Sequence, residues 1–426
     1  MQFQVNEERL IGELKTLAGF TGIEPSAIGI AVTRVVFTED DLRARAWLKE
    51  LAEAAGFGVR EDAVGNTFIR WVGAKPELSA VGTGSHVDAI PHAGMYDGTV
   101  GVLGGLEAMR ALKESGFKPL RSIELLLLTS EEPTRFGIGC LGSRLISGVL
   151  DVKRADALVD ASGSTLAEVR EAAGFRGSLI DVRLPADFYH AWVELHIEQG
   201  PLLEREGLTI GIVTDIAAPA GYRFTISGFG GHAGALLMPD RRDALCAAAE
   251  LILSIERHAL AANAASGGVD TVATVGTCEV YPGAVNGVPS RVTLQVDVRD
   301  TDPVRREDVM RAVRADCDAL RLKRGVEIEE TMVNADDPTQ SSPHIIRVIE
   351  EVCEELEIAT KKMVSRAYHD SLFIAQLAPV AMIFIPCRNG VSHRPDEYAS
   401  DADIVRGTKV LAATLGRLAS EPEGTA

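Results

Sequence analysis

The hydrophobic pattern of this chain changes once and then changes back, and that interruption restricts it to one domain set inside another. Up to about residue 217, short apolar runs alternate with helical patterns: LSAVGTG precedes a helix from Val100 to about Ser115, and SIELLLLTS precedes another loop and helix. Such alternation predicts an α/β fold with a mostly parallel sheet. From 218 to 332 the order becomes YRFTISG, a helix over DRRDALCAAAELILSIERHAL, TVATVGTCEV, RVTLQVDVRD, a helix over PVRREDVMRAVRADCDALRLK, and VEIEETMV. A β-α-β-β-α-β order of this kind is that of a ferredoxin-like sandwich. The first pattern then returns, with a helix over PHIIRVIEEVCEEL and a buried strand in PVAMIFIP. The expectation is a large α/β domain made of residues 1–217 and 333–426, carrying an inserted βαββαβ domain at 218–332. With 426 residues, 46% of them hydrophobic, the chain has the apolar surface to build both cores.

Charge narrows the partners. Lys and Arg number 43 against 61 Asp and Glu, a net charge of −18, which repels nucleic acid and anionic membrane surfaces. An anionic substrate would have to be drawn in by local Arg or metal charge. The six cysteines (Cys140, Cys246, Cys278, Cys317, Cys353, Cys387) show no CxxC spacing and are read as reduced. The opening MQFQVNEERLIGELKTLAGF reads as an amphipathic helix without the apolar run of a signal peptide, and no stretch approaches a membrane span. A cytoplasmic protein is expected, with the polar tail EPEGTA disordered.

Candidate ligands gather at one predicted edge. His86 follows AVGTGS, Glu131 and Glu132 follow IELLLLTS, His196 lies in WVELHIEQG, and His393 follows MIFIPCRNGVS. Each is at or just past the carboxyl end of a predicted strand, where ligands collect in open α/β sheets. Asp97, in the Gly-rich loop HAGMYDGTVG, is close enough in sequence for its carboxylate to fold back and bridge two cations. Taken singly, each has an ordinary reading: a hydrogen-bonded His, an acidic helix start at Glu131 and Glu132, a turn at Asp97 before Gly98. Together, three imidazoles and several carboxylates at the same edge suit zinc, manganese or a similar metal.

The strings GSHVDAIPHAGMYDGTVGVLGGLEAM, LTSEEPTRFGIGCLGSR, LHIEQGPLLE, GFGGHAGALLMPDRRDA and SHRPDEY, running from Gly84 to Tyr398, resemble the dinuclear metal amidohydrolases. That family includes allantoate amidohydrolase, N-carbamoyl-L-amino acid hydrolase and ureidoglycolate amidohydrolase. The resemblance implies that His86 and His196 hold one metal, Glu132 and His393 the other, with Asp97 bridging, and that Glu131 is the general base. The implied cofactor is two divalent ions, manganese ahead of zinc, sharing a water whose pKa they lower. It further implies that His232, in the loop GFGGHAGA, stabilises the tetrahedral oxyanion, and that Asn286 and Arg299 bind substrate. Arg299 offers a planar fork for a carboxylate, its ordinary reading being an ion pair with Asp297 or Asp300. Gln199 is a candidate for holding a substrate amide.

Within the family, SRAYHDSLF carries the finer resemblance. Relatives acting on allantoate or carbamoyl amino acids tend to have small residues where this chain has Arg366 and Tyr368, and the bulkier pair should shrink the pocket. The resemblance then implies a small ureide, ureidoglycolate, in contact with Tyr368 and His369, cleaved at its ureido C–N bond. Plant members of that branch carry a targeting segment that is not found ahead of the helix here. A ureide-binding protein without turnover is the reading from another class, opposed by the presence of both acids and all three histidines. A thiol hydrolase built on Cys140 lacks a paired base. The edge strand of the inserted sandwich, and the family's use of the His232 position across subunits, imply a homodimer.

Overall fold

The structure is a computed structural model that describes residues 3–424. It divides into two compact units: Met1–Thr214, Gln340–Met363 and His369–Ala426 form the larger, and Asp215–Thr339 with Val364–Tyr368 the smaller. In the larger unit four strands run parallel at the centre of the main sheet, in the order Val380–Ile385, Tyr189–Ile197, Ala80–His86, Ile123–Leu128. Three of these are buried along their whole length, as continuous apolar runs are when both faces of a sheet are covered. The edges are antiparallel: Ile210–Ile216 pairs with Val380–Ile385 on one side, and Thr67–Trp71 with Gly58–Glu61 closes the other. Only Asp62–Asn66 joins the last two strands, too short for the crossover that parallel neighbours need.

Side-chain alternation sends Leu125 and Leu127 into one core and Leu126 and Leu128 into the other. The first core includes Val102, Leu103, Leu106 and Met109 of the helix Thr99–Glu114, together with Ile404, Leu411 and Leu415 of the helix Asp401–Leu418. The Thr99–Glu114 helix sits close on the sheet because its facing positions are glycines. A Cβ at Gly101 would come within 2.5 Å of the Leu195 carbonyl oxygen and 2.7 Å of Ser85 Cβ, and one at Gly105 within 2.8 Å of Leu125 Cδ1. Leu195 and Ser85 immediately precede His196 and His86. This contact therefore fixes the depth at which the Asp97 loop meets both imidazoles.

The smaller unit is a four-stranded antiparallel sheet in the order Val272–Tyr281, Arg291–Asp300, Ala218–Ser227, Glu327–Ala335. Its chain order with the helices Ala244–Ser266 and Pro303–Arg324 is β-α-β-β-α-β. Asp243 and Asp302 cap the two helices, each accepting two backbone N–H groups, and Pro303 opens the second. Phe224, Ile226, Leu251, Ile255, Leu294, Met310 and Val313 fill the space between sheet and helices.

Two expectations need correction. The smaller unit takes in 215–339 and also the separate stretch Val364–Tyr368, which no hydrophobic period marks. Its attachment is polar: the Ala217 N–H donates to the Ser365 carbonyl at 2.8 Å. The tail EPEGTA is anchored at its start, because Glu421 accepts from His190 Nε2 at 2.7 Å and His344 Nε2 at 2.9 Å. Arg121 also holds the carbonyls of Glu421 and Pro422; Thr425 and Ala426 lie outside the described residues. All six cysteines are free thiols. Among the described residues no helix is long and apolar enough to cross a membrane.

Helix propensity alone would make Gly101→Ala stabilising by about 1 kcal/mol. The backbone contact reverses the sign, so the variant should lose about 1–3 kcal/mol. Urea denaturation followed by circular dichroism checks this, and a raised midpoint would show that the helix does not rest on Leu195.

Candidate metal centre

His86 closes the strand Ala80–His86 and His196 lies one residue from the end of Tyr189–Ile197, so adjacent parallel strands present two imidazoles at one edge. Asp97 reaches them from the loop ahead of the Thr99–Glu114 helix. Its Oδ1 lies 3.2 Å from His196 Nε2 and 3.7 Å from His86 Nε2, and its Oδ2 lies 3.2 Å from His393 Nε2. Glu132 Oε1 is also 3.2 Å from His393 Nε2. Two donor triads share Asp97, His86–Asp97–His196 and Asp97–Glu132–His393, each with its ligand atoms within 4.8 Å of one another; a third group of the same compactness, Glu194–His196–His369, shares only His196 with them. That spacing accommodates a cation bound at about 2.0–2.2 Å to each donor.

The tautomers agree with this arrangement. His86 Nδ1 is 3.0 Å from the Asp88 carbonyl and His196 Nδ1 is 2.9 Å from the Ile197 carbonyl. A carbonyl can only accept, so each Nδ1 carries a proton, and Nε2, which faces Asp97, is the nitrogen that would bind a cation once its own proton is shed. Gly98 makes the approach feasible: its φ is +66° and a Cβ there would stand 2.4 Å from His86 Nε2. His393 also adopts a positive φ, of 60°, which turns its ring back to the edge. Imidazole and carboxylate donors together are a set suited to divalent cations.

Without cations the cluster holds protons. Burial works against charging His86 and His196, but Glu131 and the Asp97 hydrogen bond raise His86, and the hydrogen bond and charge of Asp97 raise His196. Hydrogen bonds to Asp97 and Glu132 push His393 up to about 11. Burial would raise Asp97 itself, yet its three imidazole partners keep it well below the usual carboxylate range. Glu131 is raised well above that range by burial and by the charge of Glu132, against the pull of His86. Its Oε2 lies 3.8 Å from His86 Nε2 and its Oε1 3.5 Å from Cys140 Sγ. It belongs to neither triad.

Three further residues shape the centre without having been singled out in the sequence. Asp88 is buried and accepts the Glu131 N–H at 3.3 Å and the Glu132 N–H at 3.0 Å, so it sets the backbone of the acidic pair. The signal was present: an acid two residues after His86 in an otherwise apolar run. Glu397 accepts the N–H groups of Tyr96 and Asp97 at 2.8 and 3.0 Å. The Ser392 hydroxyl lies 2.7 Å from Glu397 Oε2 and 2.9 Å from Asp97 Oδ2, tying the His393 segment to the Asp97 loop. Gln199, also at positive φ, donates to Asp97 Oδ2 at 2.7 Å. His369 is buried with its ring 4.5 Å from that of His196.

The remaining candidates lie in the smaller unit. His232 forms a short bridge with Gly287, and the Ala233 N–H donates to the Asn286 carbonyl at 2.8 Å, so these two loops are held together. His232 is exposed, and its Nδ1 accepts the Gly234 N–H at 3.1 Å, which places the ring proton on Nε2. Arg299 does pair with Asp297, Nε to Oδ1 at 2.7 Å, and its guanidinium lies 5.4 Å from the Tyr368 ring centroid. Asp300 is taken by Arg305.

Comparison with known proteins adds independent findings. Residues 82–417 match the model of Peptidase family M20/M25/M40. The chain is 50% identical to a ureidoglycolate hydrolase of Arabidopsis thaliana over 91% of its own length and 82% of the relative's. It is 36% identical to an N-carbamoyl-L-amino acid amidohydrolase of Geobacillus stearothermophilus, over 97% of this chain and 99% of that one. It superposes on the crystal structure of AtUAH in complex with (S)-hydroxyglycine with a TM-score of 0.88, at 48% identity and covering 98% of each chain.

Ligands must shed protons before they bind a cation. Because the raised group at His393 keeps its proton up to about pH 11, manganese loading at pH 7.5 should release about one proton or more per chain. Affinity should rise with pH and fall on acidification. Titration calorimetry in buffers of different ionisation heats measures the release; a pH-independent affinity would contradict the site.

Proposed function

The chain belongs to Peptidase family M20/M25/M40 and is a hydrolase, and from that premise we propose that it hydrolyses the ureido C–N bond of ureidoglycolate. The observation that carries the substrate is the 50% identity to the Arabidopsis ureidoglycolate hydrolase, against 36% to the carbamoyl-amino-acid enzyme. His86, Asp97 and His196 would hold one cation, and Asp97, Glu132 and His393 the other; manganese is favoured over zinc. Bound there, the pair supplies a water of lowered pKa and polarises the ureido carbonyl.

The protein residues do the rest. Glu131, left out of both triads, takes the proton of the attacking water and gives it to the leaving amine. Asp88 keeps Glu131 and Glu132 in register through their backbone N–H groups. His232, with its proton on Nε2, donates to the oxyanion as charge develops, while Asn286, Arg299, Tyr368 and His369 receive the substrate. Water oxygen joins the ureido carbon and the terminal nitrogen leaves as ammonia. The carbamate left behind loses carbon dioxide, and the resulting hydroxyglycine collapses to glyoxylate and a second ammonia. The smaller unit serves as lid and dimerisation domain in this reading, and its edge strand Val272–Tyr281, paired on one side only, is the element through which a homodimer forms.

Manganese-loaded protein should release ammonia from ureidoglycolate faster than from allantoate or N-carbamoyl amino acids. The reverse ranking would move the substrate and leave the family in place. Glu131→Gln should lower kcat about 100- to 10,000-fold with metal content unchanged by elemental analysis; full activity in that variant would remove Glu131 as the base.

A further inference from the structure

The five residues Val364–Tyr368 belong to the smaller unit although their neighbours on both sides belong to the larger. Four contacts from three of the residues hold them there. The Ser365 carbonyl accepts the Ala217 N–H at 2.8 Å. Arg366 donates from Nε to the Val269 carbonyl at 3.0 Å and from Nη2 to Asp270 Oδ1 at 2.8 Å. Tyr368 carries the Arg299 guanidinium 5.4 Å from its ring centroid.

The turn that Arg366 grips is itself tied down by hydrogen bonds. Gly267 ends the helix Ala244–Ser266 in the left-handed conformation. Asn263 then pins Thr271 through the Thr271 N–H at 3.0 Å and the Thr271 carbonyl at 2.8 Å. The Thr271 hydroxyl donates to Asp300 Oδ2 at 2.6 Å. Asp300 follows Arg299 on the strand Arg291–Asp300, and Val272, two residues after Asp270, is the strand partner of Arg299. A closed circuit results: Arg366 to Asp270, Thr271 to Asp300, along the backbone to Arg299, and from Arg299 across to Tyr368.

We propose that Arg366, through Asp270, is a positioning residue for substrate recognition: it holds Tyr368 against the Arg299 guanidinium so that the fork meets the substrate carboxylate in one orientation. A guanidinium lying over a ring and held on its Nε edge by Asp297 has less rotational freedom left, and such preorganisation lowers the cost of binding. Released from Asp270, the segment would let the ring drift and Arg299 lose its orientation. The affinity for the carboxylate end would fall while the hydrolytic step stayed intact.

This inference rests on the reading of Arg299 as the carboxylate contact. Steady-state kinetics of manganese-loaded Arg366→Ala, Asp270→Ala and the charge-swapped double variant R366D/D270R tests it, with ureidoglycolate, allantoate and N-carbamoylglycine as substrates. Each single variant should raise KM about tenfold and leave kcat within about twofold, because a contact made equally in ground and transition states appears in KM. The swapped pair should recover most of the loss. Unchanged KM in the single variants, a fall in kcat instead, or a double variant no better than either single one would overturn the clamp. If wild type prefers another of the three substrates, the substrate reading fails alone, and the clamp is judged on that substrate by the same KM-against-kcat comparison. Turnover of none of them removes both.

Discussion

One carboxylate organises this protein's site. Asp97 turns one oxygen to His86 and His196 and the other to His393, so two donor triads exist only because a single loop reaches the edge of the sheet at the right depth. That depth is set by packing: the Thr99–Glu114 helix can approach the sheet because Gly101 and Gly105 carry no Cβ. Glu397 and Ser392 then fix the loop from the other side. Core contacts, loop geometry and donor placement thus form one continuous constraint.

The electrostatics follow from the same crowding. Asp88, Asp97, Glu131, Glu132 and Glu397 are all buried around one point. Burial pushes Asp88 up to about 6 and Glu397 up to about 7. A group of acids this dense is costly unless cations or protons compensate it. Imidazolium protons do so in the metal-free protein, and divalent ions would do so in the working enzyme. The net charge of −18 offers an anionic substrate no long-range attraction, so in the proposed reading Arg299 and the cations would supply it locally.

Much of this was legible in the sequence because it depends on periodicity and strand ends. The central parallel strands are largely apolar runs, and His86, His196 and Glu132 stand at or near the points where those runs stop, which is what makes them visible in the sequence. Asp97 and His393 were candidates from their place near the same edge, but a Gly-rich loop and a post-strand segment carry no period of their own, and only the family resemblance assigned each to a ligand set. Asp88 had only an acid in an otherwise apolar run to mark it, and Glu397 went unnoticed because its task is to accept backbone N–H groups, a task that many residues perform and that leaves no spacing signature. The same holds for Val364–Tyr368, attached by a carbonyl and an arginine, and for Glu421, whose partners His190 and His344 are far away in sequence. Hydrophobic pattern locates elements; it says nothing of polar contacts that join distant loops.

The central claim is that Asp97 bridges two cations. Elemental analysis of the purified protein after manganese loading and desalting, beside Asp97→Ala with its fold verified by circular dichroism, tests it most directly. About two ions per chain are expected in the wild type, as in a two-metal hydrolytic site, and the variant should lose both. Full retention of one ion in the variant would show that the triads are independent and that Asp97 does not link them.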